Sequence, residues 1–157
     1  MAGSREPRIY RETDHTADLR VEIYGTSREE LFHHAILTLY TLLGFPRMAA
    51  SPQRSDDRSS GGQVLTFCGT DEADLLVQLL GELLSVAVTE RRCWVPREGG
   101  CRVTRDRDTA FLRLEGDWRD LLPIETGLER EIKAVTYHDA AIRKHGDGYV
   151  ATVVMDL

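Results

Sequence analysis

A chain of 157 residues, 41% of them hydrophobic, suits one domain with its own core, because single domains typically run to about 100–200 residues. Residues 1–157 are therefore predicted to form one unit. With no run of about 18 apolar residues for a membrane helix, and no apolar stretch in the opening MAGSREPRIY for a secretion signal, a soluble cytoplasmic protein without a membrane partner is expected. Lys and Arg total 20 against 26 Asp and Glu, a net charge of −6. That argues against unaided, phosphate-led binding of nucleic acid and favours attracting a cation or acting through a basic partner. Cys68, Cys93 and Cys101 are odd in number and form no Cys-x-x-Cys, which points away from a disulfide framework or a zinc ribbon and towards idle thiols.

The segment Asp18–Tyr24 alternates Leu19, Val21 and Ile23 with Asp18, Arg20, Glu22 and Tyr24, the period-two pattern of a half-buried strand closed by Gly25. In SREELFHHAILTLYTLLG, Ser27 and Glu30 have capping-box spacing, and Leu31, Ala35, Leu39 and Leu42 recur at helical spacing. Gly44 stops this helix and Pro46 prevents its resumption. Residues 49–62, AASPQRSDDRSSGG, carry no apolar period and predict a flexible surface loop.

QVLTFCG reads as a short strand. TDEADLLVQLLGELLSVAVTE follows as a second helix, capped by Thr70 or Asp71, with Leu76, Leu79, Leu80, Leu83 and Ala87 on one face. Gly81 weakens its centre by roughly 1 kcal/mol relative to Ala. From Arg91 the chain is strand-rich: RCWVPR, then CRVTRD and TAFLRLEGDW about a turn at Asp106–Asp108. The closing EIKAVTYHDAAIRKHGDGYVATVVMDL predicts a hairpin turning at Gly146-Asp147. Two helices among several antiparallel-type strands, without regular β-α alternation, predict an α+β two-layer sandwich of mostly antiparallel or mixed sheet, not a doubly wound fold.

The common phosphate-binding glycine loops and the Gly-x-Ser-x-Gly nucleophile elbow are absent. His33 and His34 lie about 100° apart on one helix, so the two cannot easily serve one metal. His15 stands beside Asp14 and His138 beside Asp139. Such pairs either orient an imidazole for base or metal work or are hydrogen bonds of turns and sheets. Asp18 opens a strand, where a carboxylate can accept turn amides. Asp156 and the α-carboxylate of Leu157 lie at the other end of the sequence. Were the three to meet, their repulsion would call for a hard cation or a lysine, and oxygen-only clusters select Ca²⁺ or Mg²⁺. In the hairpin, a two-residue turn places Asp156 opposite Tyr137, with Lys133, Tyr137 and Asp139 on the same face as Asp156. Lys133 is then a compensating charge beside the carboxylates, a donor to a partner's phosphate, or a solvated surface lysine.

DHTADLRVEIYG, LLVQLLGELL, IKAVTYHDAAI and the ending VVMDL, in that order, together resemble the archease family over nearly the whole chain. The resemblance implies a compact α+β domain that is not itself an enzyme. It implies an accessory protein of an RtcB-type RNA ligase, which joins 2′,3′-cyclic phosphate and 5′-hydroxyl RNA ends in tRNA splicing and RNA repair. The accessory protein promotes guanylylation of the ligase with GTP and its repeated turnover, touching tRNA or other RNA only indirectly. The family's divalent-cation site falls on Asp18, Asp156 and the Leu157 carboxylate, with Ca²⁺ the expected ion and Mg²⁺ or Mn²⁺ as alternatives, and its functional lysine on Lys133. Two departures stand out: Gly81, where family members often carry Asn, and the long polar 49–62 stretch. Two other functions remain compatible with the residues: a stand-alone metal-dependent hydrolase with His15 or His138 as base, and a chaperone-like modulator of a tRNA methyltransferase.

Overall fold

The structure, a computed structural model, describes residues 8–14, 18–45, 62–121 and 130–157. The predicted 49–62 loop thus lies outside the described residues except for Gly62. Two antiparallel sheets and two helices make up an α+β sandwich, the class expected. One sheet has the strand order β1-β2-β7-β6, from Tyr10–Asp14, Asp18–Gly25, Gly148–Asp156 and Ala134–His145. The other has the order β3-β5-β4, from Gln63–Gly69, Thr109–Asp120 and Arg92–Asp106. Helix α1 (Arg28–Leu43) packs on β2 and β7 and also on β4; helix α2 (Glu72–Thr89) packs on β6 and on β3, β4 and β5. The helix pair is therefore shared by both sheets.

Both helices begin where their caps dictate. Ser27 Oγ accepts from the Glu30 N–H at 3.1 Å, and Asp71 Oδ1 accepts from the Asp74 N–H at 2.8 Å, each satisfying a first-turn donor that has no helical partner. Helix α1 ends at Gly44, whose φ of 97° lets its N–H and that of Phe45 fold back onto Thr41 and Tyr40 carbonyls. An αL residue of this kind favours glycine, which has no Cβ to clash.

The predicted helix faces are the buried ones: Leu31, Ala35 and Leu39 of α1, and Leu76, Leu79, Leu80, Leu83 and Ala87 of α2, are fully enclosed. They meet Leu19, Val21 and Ile23 of β2 and Ala151, Val153 and Met155 of β7, the inward half of each alternation. Each such large side chain contributes roughly 1.5–3 kcal/mol by leaving water. The second sheet is joined to the core by a polar stitch, the buried Tyr40 hydroxyl accepting from the Trp94 N–H at 2.7 Å.

Three elements differ from the expectation. β1 was not evident, because YRETD carries a single apolar side chain, Tyr10, in a short edge strand. RCWVPR and CRVTRD form one strand, β4, whose register with β5 breaks between Pro96 and Cys101. The break includes Gly99 at φ 70°, a bulge that reads locally as a turn but lets pairing resume. In the terminal hairpin His145 pairs with Gly148 and Ala141 with Thr152 as expected, but a second irregularity between Thr136 and Ala141 moves the partner of Asp156 from Tyr137 to Ala134. Asp139, inside that bulge, has φ 54°.

Candidate functional site

Asp18 is the first residue of β2 and Asp156 the last of β7, and the antiparallel register from Gly25↔Tyr149 to Asp18↔Asp156 sets them directly opposite each other. Opposed residues of such a pair point to one face, with Cβ atoms about 4.5–5.5 Å apart. The face is the solvent side, because Leu19 and Met155, one residue inward, are buried on the other. Both carboxylates are exposed.

Their neighbours on that face are paired off. Glu22 accepts from the Tyr24 hydroxyl at 2.7 Å and from Arg11 at 2.8 Å, and the Tyr24 hydrogen bond above all holds its carboxyl below the usual carboxylate range. Asp139 accepts from Arg20 at 3.1 Å and lies 3.3 Å from His138 Nε2. Among the described residues, Asp18 and Asp156 have no side-chain hydrogen bond or ion pair. Two like charges facing each other without a partner oppose sheet stability, which is the arrangement a bound cation would relieve.

Lys133 precedes β6, and its main-chain N–H donates to the Asp156 carbonyl at 2.8 Å. Its side chain is exposed. Because the pairing puts Ala134, not Tyr137, opposite Asp156, the face-sharing expected of Lys133 and Tyr137 does not follow from the ladder. Tyr137 instead lies near the Asp74 carboxylate on α2, and burial first, then that carboxylate, raises its pKa. Asp139 does reach the face of Asp18, through Arg20.

No three Asp, Glu, His or Cys side chains gather into a metal cluster among the described residues. Any cation here would rest on Asp18, Asp156 and a main-chain donor such as the exposed Leu157 carboxylate, an all-oxygen set that fits a hard divalent ion. His15 lies outside the described residues, and so does the side chain of Asp14, whose backbone pairs with Arg20. His34 Nδ1 donates to the Tyr24 carbonyl at 2.5 Å, tying α1 to the end of β2. His33 faces a groove beside Glu98 and Cys101. The cysteines are free thiols, and burial pushes Cys101 up to about 12, as idle thiols would be. The Arg20–Asp139 pair had no signal in the sequence, since nothing local links β2 to a bulge in β6.

The family model described as "Archease protein family (MTH1598/TM1083)" matches residues 10–157. The chain belongs to the archease family. It is 31% identical to the protein archease of Methanosarcina barkeri over 160 residues, covering 98% of this chain and 99% of the relative. With the protein archease of Archaeoglobus fulgidus the identity is 30% over 156 residues, covering 94% and 98%. The solution structure of Methanobacterium thermoautotrophicum protein 1598 is similar at a TM-score of 0.65 and 23% identity, covering 95% of this chain and 99% of that one; this is a likeness of fold. The archease resemblance read from DHTAD and KAVTYHD is thereby established. Among the described residues no helix is long and apolar enough to cross a membrane.

Proposed function

We propose that this archease-family chain is a non-catalytic activator of an RtcB-type RNA ligase in tRNA splicing and RNA repair. It promotes GTP-dependent guanylylation of the ligase in the cytoplasm and sustains its multiple turnover. The observation that supports this reading is the pair of carboxylates, Asp18 and Asp156, without side-chain partners among the described residues and held face to face by a sheet register beside the Lys133 backbone. With the α-carboxylate of Leu157 they would hold a divalent cation, Ca²⁺ first and Mg²⁺ or Mn²⁺ next, which supplies positive charge for nucleotide phosphates. A small acidic protein that presents such an ion need not bind RNA at this end; it need only fit a partner that handles GTP. The chain's own residues supply rigidity: β2 and β7 fix the two carboxylates on strands, and Lys133 adds a mobile cation.

The test uses an RtcB-type ligase from the same source with this protein in catalytic amounts, following covalent attachment of labelled GMP to the ligase. The parent chain should accelerate labelling and repeated ligation, and Asp18→Ala, Asp156→Ala and Lys133→Ala should each abolish most of that effect. Equal stimulation by Asp18→Ala and Asp156→Ala overturns the proposal. Phosphoester hydrolysis by the protein alone would replace it with the hydrolase reading, and co-purification with a tRNA methyltransferase with the chaperone reading.

A further inference from the structure

The solvent face of the second sheet breaks one rule of sheet stability and carries one exposed aromatic ring. Arg102 of β4 stands directly opposite Arg113 of β5, with Thr66 of β3 on the other side of Arg113. Like charges directly opposed destabilise a sheet. The next row is Cys68, Phe111 and Thr104, and it leaves Phe111, on the central strand, 41% exposed. Glu115, in the row on the other side of Arg113, accepts from Arg113, and its carboxyl is held low by that bond first and by the charges of Arg113, Arg97 and Arg102. Arg102 and Arg113 are thus a local pair of positive charges on a chain whose net charge is −6, while Arg97 and Glu115 also line a groove with Glu29, Glu30 and Glu98.

We propose that this face binds single-stranded RNA, with bases stacking on Phe111, phosphates meeting Arg97, Arg102 and Arg113, and the exposed hydroxyls of Thr66 and Thr104 bonding sugar 2′-hydroxyls. Alternate residues of a strand stand about 7 Å apart, so the phenyl row and the arginine row are one nucleotide's reach from each other. Aromatic rings with flanking cations on an open sheet take single strands because every base has a stacking face and every nucleotide one phosphate. An acidic peptide would use the guanidiniums but not the ring in the row beside them. The net charge argued against nucleic-acid binding only as a whole-chain average; the β4–β5 register sets two of the 20 basic side chains side by side on one surface. This proposal stands apart from the ligase reading and is measured without any ligase.

The experiment is fluorescence anisotropy of a labelled 12-nucleotide oligouridylate titrated with the full chain at several salt concentrations. Saturable binding that weakens with salt is expected, and Arg102→Gln should flatten the logarithmic salt slope by about 0.7, the share of one phosphate contact. Phe111→Ala should weaken binding roughly 5- to 150-fold, the range of base stacking on an aromatic ring. Glu115→Gln should tighten it by removing the competing carboxylate. Arg102→Gln relieves like-charge repulsion, so its thermal midpoint should not fall below that of the parent, separating loss of binding from loss of fold. Absence of binding at low salt, or binding indifferent to both Phe111→Ala and Arg102→Gln, overturns the proposal. Equal affinity for an oligothymidylate overturns the assignment to RNA, and equal affinity for an oligoglutamate overturns nucleic acid altogether.

Discussion

The main-chain N–H of Lys133 donates to the carbonyl of Asp156 at 2.8 Å, while the side chain of Asp156 faces that of Asp18 across the β2–β7 ladder. One strand end thus gathers three residues that the sequence keeps far apart. The hydrogen bond also makes Lys133 part of the site through its backbone, whatever direction its flexible side chain takes.

If the opposed carboxylates hold a hard cation, Ca²⁺ should stabilise the fold by an amount that grows with the logarithm of its concentration, about 2.7 kcal/mol at a hundredfold excess over the dissociation constant. Differential scanning calorimetry with and without Ca²⁺ should show a raised midpoint for the parent chain and none for Asp18→Asn with Asp156→Asn. Without the ion, the double variant should be at least as stable as the parent, because it removes a facing pair of like charges.

Gly81 lies inside α2, and a Cβ built on it meets nothing within 4 Å. Gly81→Ala should therefore stabilise the protein by about 0.5–1 kcal/mol, by restricting the unfolded chain and improving helix propensity. Urea unfolding checks it: the midpoint should rise with the slope unchanged.

Tyr40→Phe keeps the ring in the core but leaves the Trp94 N–H buried without its acceptor. The expected loss is about 1–3 kcal/mol, the penalty for an orphaned buried donor. Because the bond crosses from α1 to β4, hydrogen exchange at the Trp94 amide should accelerate more than at amides of β2.

Burial first, then the neighbouring His34, holds the His33 imidazole below its ordinary value of 6.5, against the opposing pull of Glu30 and Glu98. The unfolded chain then binds more protons than the folded one between the lowered value and 6.5, so stability rises with pH through that window and falls as pH drops below 6.5. His33→Gln should flatten this part of a pH–stability profile measured by chemical denaturation, while the steeper acid loss from carboxylates such as Asp74, whose pKa is lowered by the Thr70 N–H, stays in place.

Local chemistry was legible wherever it was local. Ser27, Asp71 and Gly44 mark the helix ends because capping is satisfied within a few residues, and the alternation of β2 and the periods of α1 and α2 name the buried faces because those periods are set by backbone geometry. DHTAD and KAVTYHD carried the family. Register was legible only as far as the turn controlled it: the pairing next to Gly146-Asp147 follows from a two-residue loop, but the bulge that contains Asp139 resets it, and Asp139 there meets Arg20 of another strand. The break in β4 at Gly99 is of the same kind.

The sequence by itself determined the α+β class, the two helices with their caps and faces, and the residue types able to hold a hard cation. That Asp18 and Asp156 meet was decided by tertiary structure alone, since only the β2–β7 pairing converts distance along the chain into adjacency. The same is true of Arg102 and Arg113, which only the β4–β5 register sets opposite each other: a count of charges averages over the whole chain, whereas a sheet sorts alternate residues onto one face.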